Sequence, residues 1–397
     1  MHKNRLNIAQ LHWGFPPIIG GVETHLSTLL PLFAKWGHRV SLLTGSCEGV
    51  KARYIYKGVQ IFRSPLMDLN WLFKRGLEGL EEDIEEVIRE FLKETKPNII
   101  HVHNMHYFSK LHSQRLVELA IKKKIPVILT AHNVWDDILF LEMNKEIGWS
   151  HIVAVSHFIK KELTSVGYDD KKITIIHHGI DTKIFRPNVN TKKVLDKFPQ
   201  LKEREVIFHP ARMGLAKGCD VGVKALRLIK KHFPDVILVM AGTKNIIDWG
   251  LTQQRDIAYL IELIKTLDLE KNVLIEMLSL DEIPQIYALA KICIYPSSSS
   301  EPFGLTMLES LSSAKPIIVT NTGGMPEIIQ DGINGFVIKI RDYEALASRV
   351  IRLLEDDALR ERLGSTGRQI VLAQYRKERM AKDLLNLYKR VLENKCL

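Results

Sequence analysis

Short apolar runs alternate with amphipathic stretches along all 397 residues, and that alternation constrains the fold more than any single motif. It is the rhythm of parallel strands covered by helices on both faces. The first half opens with the run Leu6 to Leu11. It continues through strands near Ile99–His103, Val127–Thr130 and Ile152–Val155. Between them Leu77, Leu80, Ile84, Val87, Ile88, Phe91 and Leu92 mark one helical face at three- and four-residue spacing, and Pro97 closes it. A second series starts at Val206–Phe208 and runs through Val236–Ala241, Val273–Ile275, Ile292–Tyr295 and Pro316–Val319. A chain this long, 46% hydrophobic, exceeds one ordinary core and suits two domains. The expected divisions are 1–183, 184–374 and a terminal helical segment 375–397 that crosses back to the first domain. The link is expected at Gly179 to Pro187.

Two strand ends carry the chemistry. After Ile292–Tyr295 a serine loop leads into Glu301-Pro-Phe-Gly-Leu-Thr-Met-Leu-Glu309. Gly304, Leu305 and Thr306 would offer unpaired N–H groups at the positive end of a helix dipole, where a phosphate binds well. Glu301 and Glu309 flank that point and can accept hydrogen bonds from neutral hydroxyls. A nucleotide joined to a sugar has this layout of hydroxyls, phosphates and hydroxyls. After Val206–Phe208 comes His209-Pro-Ala-Arg212-Met-Gly-Leu-Ala-Lys217-Gly218. Arg212 offers a fork of donors and Lys217 a point charge, together suited to a diphosphate at the carboxyl edge of a strand.

These residues resemble those of the retaining glycosyltransferases of family 4, the glycosyl transferases of group 1. The likeness runs over nearly the whole chain in the expected order. Gly20-Gly21-Val22-Glu23 follows the first strand, Thr130-Ala131-His132-Asn133 an inner one, and His178-Gly179-Ile180-Asp181 stands at the domain junction. Then come Arg212 and Lys217, the Glu-x7-Glu segment, and Asn321-Thr-Gly-Gly-Met-Pro-Glu327. Each matched polar position holds the expected residue type.

The resemblance implies an α/β protein of GT-B fold, with two doubly wound Rossmann-like domains whose parallel sheets face across a cleft. It implies a hexosyltransferase that moves a sugar from a nucleoside diphosphate sugar, expected to be a UDP-sugar, to an acceptor hydroxyl with retained configuration. His132, Arg212, Lys217 and Glu301 would be catalytic. Gly20, Gly21, Phe303, Gly304, Leu305, Thr306 and Glu309 would bind the donor, with His132 beside its sugar and Glu309 on the ribose. Gly20-Gly21 would let backbone approach the diphosphate or acceptor, and Gly323-Gly324 would form a bare turn near the sugar. Closure of the domains would exclude water.

Several other chemistries lose support. There is no Gly-x-Gly-x-x-Gly after the first strand and no Gly-x4-Gly-Lys-Ser/Thr loop, so dehydrogenase and P-loop readings fall away. No Asp-x-Asp occurs, which fits a site where Arg212, Lys217 and a helix end neutralise the diphosphate. No cofactor and no metal are expected. His101, His103 and His106 lie close together, but their strand-to-loop setting lacks a clear fourth ligand. Cys47, Cys219, Cys293 and Cys396 show no zinc or disulfide spacing, which suits a reducing cytoplasm.

The net charge of +10 is spread, with 24 Lys+Arg against 20 Asp+Glu in residues 1–183 and 32 against 26 in the rest. That distribution argues against nucleic acid as a partner. The clusters Lys122-Lys123-Lys124, Lys160-Lys161 and Lys171-Lys172 are candidates for peripheral contact with anionic lipid at the inner membrane face. No apolar leader and no run of about 18 apolar residues is found, so a soluble cytoplasmic protein is expected. The acceptor, small molecule, glycan or lipid-linked, would meet loops around Trp13–Gly21, Leu66–Arg75 and Asn104–Phe108. Its identity, the sugar, the base and the oligomeric state stay open. So do three rival readings: a sugar-nucleotide epimerase of the same fold, a non-catalytic sugar-nucleotide-binding protein, and a phosphorylase.

Overall fold

The structure, a computed structural model, describes residues 5–134, 145–242 and 250–393. The chain divides into two compact units, one reaching from the N-terminus to His178 and resuming at Lys377, the other formed mainly by the chain between. The division falls at His178–Gly179, not at 183–184, and returns at 376–377, not at 374–375. The reason is local: Ile180 N–H donates to Tyr375 O at 2.8 Å, and Ile180 bridges to Arg376, so both connecting segments are tied into the second unit.

Unit 1 is built on eight strands: β1 Asn7–Leu11, β2 Arg39–Gly45, β3 Arg53–Tyr56, β4 Val59–Ser64, β5 Ile99–His103, β6 Val127–Ala131, β7 His151–Ala154 and β8 Ile173–Ile175. Their order is β3-β4-β2-β1-β5-β6-β7-β8, parallel except for the β3–β4 hairpin. Lys57 (φ 47) and Gly58 (φ 87) both take the left-handed conformation that a two-residue hairpin turn requires. This hairpin, β2 and β8 were not among the expected strands. Direction along the sheet reverses at β1, so the carboxyl ends of β1 and β5 border its topological switch point, the place where open α/β sheets bind ligands.

The helix Lys377–Glu393 completes this unit. Met380, Leu384, Leu387 and Tyr388 form one buried stripe and join Leu26, Leu30 and Phe33 of the helix Gly21–Lys35 in the core. Each fully buried leucine in such a stripe contributes about 1.5–3 kcal/mol of transfer free energy.

Unit 2 has six parallel strands: β9 Glu205–His209, β10 Val236–Gly242, β11 Val273–Met277, β12 Ile292–Tyr295, β13 Ile317–Thr320 and β14 Gly335–Ile338. The order β11-β10-β9-β12-β13-β14 puts the reversal between β9 and β12. Its core packs Val223 and Leu226 of the helix Cys219–Ile229 and Leu346 and Val350 of the helix Tyr343–Glu355 against the sheet. No helix among the described residues is long and apolar enough to cross a membrane. Cys219 and Cys293 are buried free thiols; Cys396 lies outside the described residues.

Candidate functional site

In unit 2 the two expected clusters meet at the switch point. The loop after β9 carries Arg212, Lys217 and Gly218, and the loop after β12 carries the serines and Glu301. Ser298 and Ser299 N–H groups both donate to Ala216 O, at 3.0 and 3.2 Å, stitching one loop to the other. Gly218 makes this approach: its φ is +74, and a Cβ there would stand 1.8 Å from Pro296 O. No other residue type fits.

Lys217 Nζ donates to Glu301 Oε2 at 2.7 Å, and the Tyr295 hydroxyl donates to the same oxygen. Burial alone would push Glu301 up, but the Lys217 ammonium overrides it and holds the carboxyl below its ordinary range. Burial likewise works against the Lys217 charge, and Glu301 followed by Tyr295 raises its pKa in spite of it. The pair is therefore fully ionised at neutral pH. Arg212 is exposed in the same loop, and its charge adds to that of Lys217 in lowering the Glu301 carboxyl.

The helix Leu305–Ser312 begins at Gly304, which is left-handed with φ +83. Leu305 and Thr306 supply its first N–H groups, and the Thr306 hydroxyl is buried without a hydrogen-bond partner. Phe303 is buried beneath this turn and packs 6.4 Å from the Tyr375 ring. Glu309, one turn on, accepts a 2.8 Å hydrogen bond from the buried Tyr287 hydroxyl. Burial pushes its carboxyl up to about 7, against the opposing effect of that hydrogen bond. Two glutamates eight residues apart thus differ in charge state: Glu301 is fixed as an anion, Glu309 is poised to titrate.

Gly323 packs against the main chain of Glu301. Its φ is +57, and a Cβ there would lie 2.2 Å from Glu301 O, while Gly324 N–H donates to that same carbonyl at 2.8 Å. The turn braces the main chain of Glu301. Pro326 opens the short helix Met325–Ile328, and Glu327 lies in its first turn.

Unit 1 gathers buried histidines at its own switch point. His103 Nε2 lies 2.7 Å from Gln10 Oε1, which can only accept, so this nitrogen carries the proton. His103 Nδ1 then accepts from His132 Nε2–H at 2.8 Å, and His132 Nδ1 accepts from His178 Nε2–H at 3.2 Å. One amide oxygen thereby sets three tautomers, given the amide orientation in which Gln10 Nε2 donates to Tyr388 Oη. Both ring nitrogens of His132 are engaged within the protein, so its ring is not free to hydrogen-bond a sugar without exchanging a partner. Its N–H donates to Asn104 Oδ1 at 2.7 Å, which fixes the main chain at this point.

Gly20 and Gly21 have different surroundings. A Cβ on Gly20 would stand 2.2 Å from Glu23 Oε2, and one on Gly14 would stand 2.2 Å from Glu23 Oε1. The bare backbone at Gly20 accommodates the Glu23 carboxylate, which faces His12 Nε2 at 3.1 Å; Gly21 by contrast has open space around it. Among the aromatics of the acceptor loops, Trp13 is buried and stacks on Phe108 at 5.4 Å, whereas Phe73 is 86% exposed. Sequence reasoning passed over Tyr287, Tyr295, His12 and His25. Each sits in an apolar run or helix face where the pattern alone reads as core.

Two α/β units built on parallel strands, each with polar groups at its switch point and one with an ion pair beside a helix N-terminus, define a doubly wound class of protein. The particular family follows from comparison. The description "Glycosyl transferases group 1" matches residues 191–370, and "Glycosyltransferase Family 4" matches residues 19–184. The chain belongs to this glycosyltransferase family.

It is similar to an uncharacterized glycosyltransferase of Methanocaldococcus jannaschii, with 24% identity covering 98% of this chain and 99% of the relative. It is similar as well to the N-acetyl-alpha-D-glucosaminyl L-malate synthase of Bacillus anthracis, with 24% identity over 95% and 96% of the two chains. Among solved structures, a glycosyltransferase from Rickettsia africae shares the fold with a TM-score of 0.78, 23% identity and coverage of 98% and 100%. HepE from Anabaena, crystallised with UDP and glucose, shares it with a TM-score of 0.77, 18% identity and coverage of 97% and 100%.

Proposed function

We propose that this glycosyltransferase moves a hexose from a UDP-sugar to an acceptor hydroxyl with retention of configuration and without a divalent cation at the donor. The single observation that carries the donor site is the Lys217–Glu301 pair, 2.7 Å apart, beside the N-terminus of the helix Leu305–Ser312. Lys217 and Arg212 supply positive charge for the diphosphate, and the N–H groups of Leu305 and Thr306 add the end of a helix dipole. Glu301 accepts from sugar hydroxyls and Glu309 from the ribose. The UDP and glucose bound to HepE support the choice of uridine diphosphate, since that protein has the same fold.

In the reaction the bond between the anomeric carbon and the diphosphate oxygen breaks, and the acceptor oxygen forms its bond on the same face. The acceptor's proton passes to the departing phosphate, so no enzyme nucleophile is needed. Cations and N–H donors accelerate this step to the extent that they bind the leaving diphosphate better in the transition state than in the donor. His132 contributes through its main chain, which Asn104 and the histidine network hold in place. The acceptor meets the loops of unit 1, where Phe73 offers an exposed aromatic face. Anionic lipid at the lysine clusters and a cytoplasmic setting complete the reading.

The test is incubation with labelled UDP-sugars, with and without an acceptor array, followed by NMR of the product's anomeric centre. Transfer that depends on acceptor, persists in EDTA and yields the donor's own anomeric configuration is expected. Sugar isomerisation without acceptor would establish an epimerase instead.

A further inference from the structure

The histidines of unit 1 contain one group that the donor chemistry does not use. His25 Nδ1 is buried without a hydrogen-bond partner, on a residue only 5% exposed. A buried polar atom left unsatisfied costs about 1–3 kcal/mol, so such an atom calls for a ligand or a reason. One ring nitrogen each from His25, His103 and His132 lies within 4.8 Å of the other two. The three residues come from three separate elements: the helix Gly21–Lys35, the end of β5, and the loop just after β6. The sequence-adjacent trio His101, His103 and His106 is by contrast dispersed. His101 turns to Tyr388 Oη and Thr130 Oγ1, and His106 Nε2 faces Asn133 O.

We propose that His25, His103 and His132 form a three-imidazole site for a borderline divalent cation, Zn2+, in unit 1. The donor set selects the ion class, because imidazole nitrogens suit Zn, Cu and Ni, whereas Mg, Ca and Mn favour carboxylate and carbonyl oxygens. Two of the three rings already have a partner on the nitrogen turned away from the site, as metal-binding histidines usually do. Gln10 Oε1 accepts from His103 Nε2–H and so leaves Nδ1 as the coordinating atom, while His178 stands 3.2 Å from the outer nitrogen of His132. Burial keeps the rings neutral at physiological pH, His25 being lowered to about 3 and His103 and His132 well below their ordinary value. No ligand proton therefore has to be displaced to solvent. The 2.8 Å hydrogen bond between His103 and His132 is exchanged for two metal–nitrogen bonds, the His132 proton moving from Nε2 to Nδ1 as the His178 tautomer changes in step.

The site stands on geometry alone; its consequence rests on the proposed role of His132. A cation that captures the His132 ring displaces the main chain it positions, so bound Zn2+ inhibits transfer.

The experiment uses the full chain stripped with EDTA and titrated with Co2+, then Zn2+. Visible d–d absorption saturating at one Co2+ per chain and bleached by Zn2+ is expected. Equilibrium dialysis should show Zn2+ affinity falling at least 100-fold in His25→Ala and in the polar, similarly sized His25→Gln, with circular dichroism confirming the fold. Gln10→Leu should cost about 10–100-fold through the outer shell, and His106→Ala should leave affinity unchanged. Absence of the cobalt band, or equal Zn2+ affinity in wild type and His25→Gln, overturns the site. Stoichiometric Zn2+ binding with an unchanged transfer rate upholds the site and overturns the inhibitory role of His132.

Discussion

The two switch points occupy corresponding places in two similar sheets, yet one is built mainly from neutral rings and the other around a pair of full charges. At the first, a buried chain of imidazoles ends on a neutral amide oxygen, Gln10 Oε1. At the second, Lys217 and Glu301 lie side by side, each stabilising the other's charge, with side chains 24% and 14% exposed. A site that must hold a diphosphate needs cations that cannot lose their protons, and a raised Lys pKa meets that need. A site that positions an uncharged sugar or acceptor gains more from rigid, neutral hydrogen bonding. Acid and mutation should therefore act on the two units differently.

The largest difference is expected on acidification. Seven buried histidines of unit 1 have lowered pKa values: His25, His101, His103, His106, His112, His132 and His178. Unit 2 has one such buried residue among its described residues, His209, lowered by burial to about 4. The unfolded chain takes up protons that the folded one refuses, so stability falls as pH drops below the ordinary histidine value near 6.5. A pH unit below that value each such group costs on the order of 1 kcal/mol, so several together remove a large share of a domain's stability. Hydrogen exchange should show β1, β5 and β6 losing protection between pH 6.5 and 5 while β9 and β12 retain it. Simultaneous loss in both sheets would remove the contrast.

Lys217→Ala should reduce turnover by about 10²–10³-fold, the scale of removing one donor to a developing oxyanion. It also strands the Glu301 carboxylate, which costs stability by a separate route. The double variant Lys217→Ala/Glu301→Gln separates the two effects: melting temperature should recover and turnover should not. Turnover near wild type in Lys217→Ala would remove its part in the leaving-group chemistry.

Glycines sharpen the comparison at smaller amplitude. Gly218→Ala forces a left-handed alanine against Pro296 O and should destabilise unit 2 by about 2–4 kcal/mol. Gly21→Ala, in a helical first turn with nothing within 4 Å, should change stability by no more than about 1 kcal/mol, and in the favourable direction. Thermal unfolding of each variant decides. A raised donor KM in Gly21→Ala alone would support the close-approach role expected of that residue.

The alternation of apolar runs made the two sheets legible, because a parallel strand buried on both faces leaves a continuous apolar signature. It left β2 and the β3–β4 hairpin unseen: β3 alternates exposed and half-buried residues at a sheet edge, and the Lys57–Gly58 turn lacks the asparagine or aspartate that usually marks such turns. At the second switch point Arg212, Lys217, Glu301 and Glu309 stood out because charged groups beside glycines at strand ends have few other uses. Their partners did not. Tyr287 and Tyr295 contribute one hydroxyl each from otherwise apolar elements, and only the packed structure shows that both hydroxyls reach a glutamate. His25 was hidden for the same reason, as a helix residue whose neighbours come from β5 and β6.

Glu309 permits the finest test of the difference between charged and neutral recognition. Its carboxyl, pushed by burial to about 7, changes from neutral to anionic within the physiological range. Only the anion accepts from both ribose hydroxyls, so donor affinity should rise by about tenfold from pH 6 to pH 8, as the ionised fraction goes from about one tenth to nine tenths. Calorimetry with UDP-glucose reads this cleanly, since its diphosphate has no group titrating in that interval. Tyr287→Phe removes the hydrogen bond that favours the charged form. The carboxyl then moves further up, so affinity at pH 7 should fall a few-fold and return at higher pH, while Glu309→Gln should bind weakly with no pH dependence. A flat profile in the wild type, or a midpoint displaced downward in Tyr287→Phe, would mean that Glu309 meets no hydroxyl of the nucleotide and that the titrating carboxylate serves only the packing of its helix.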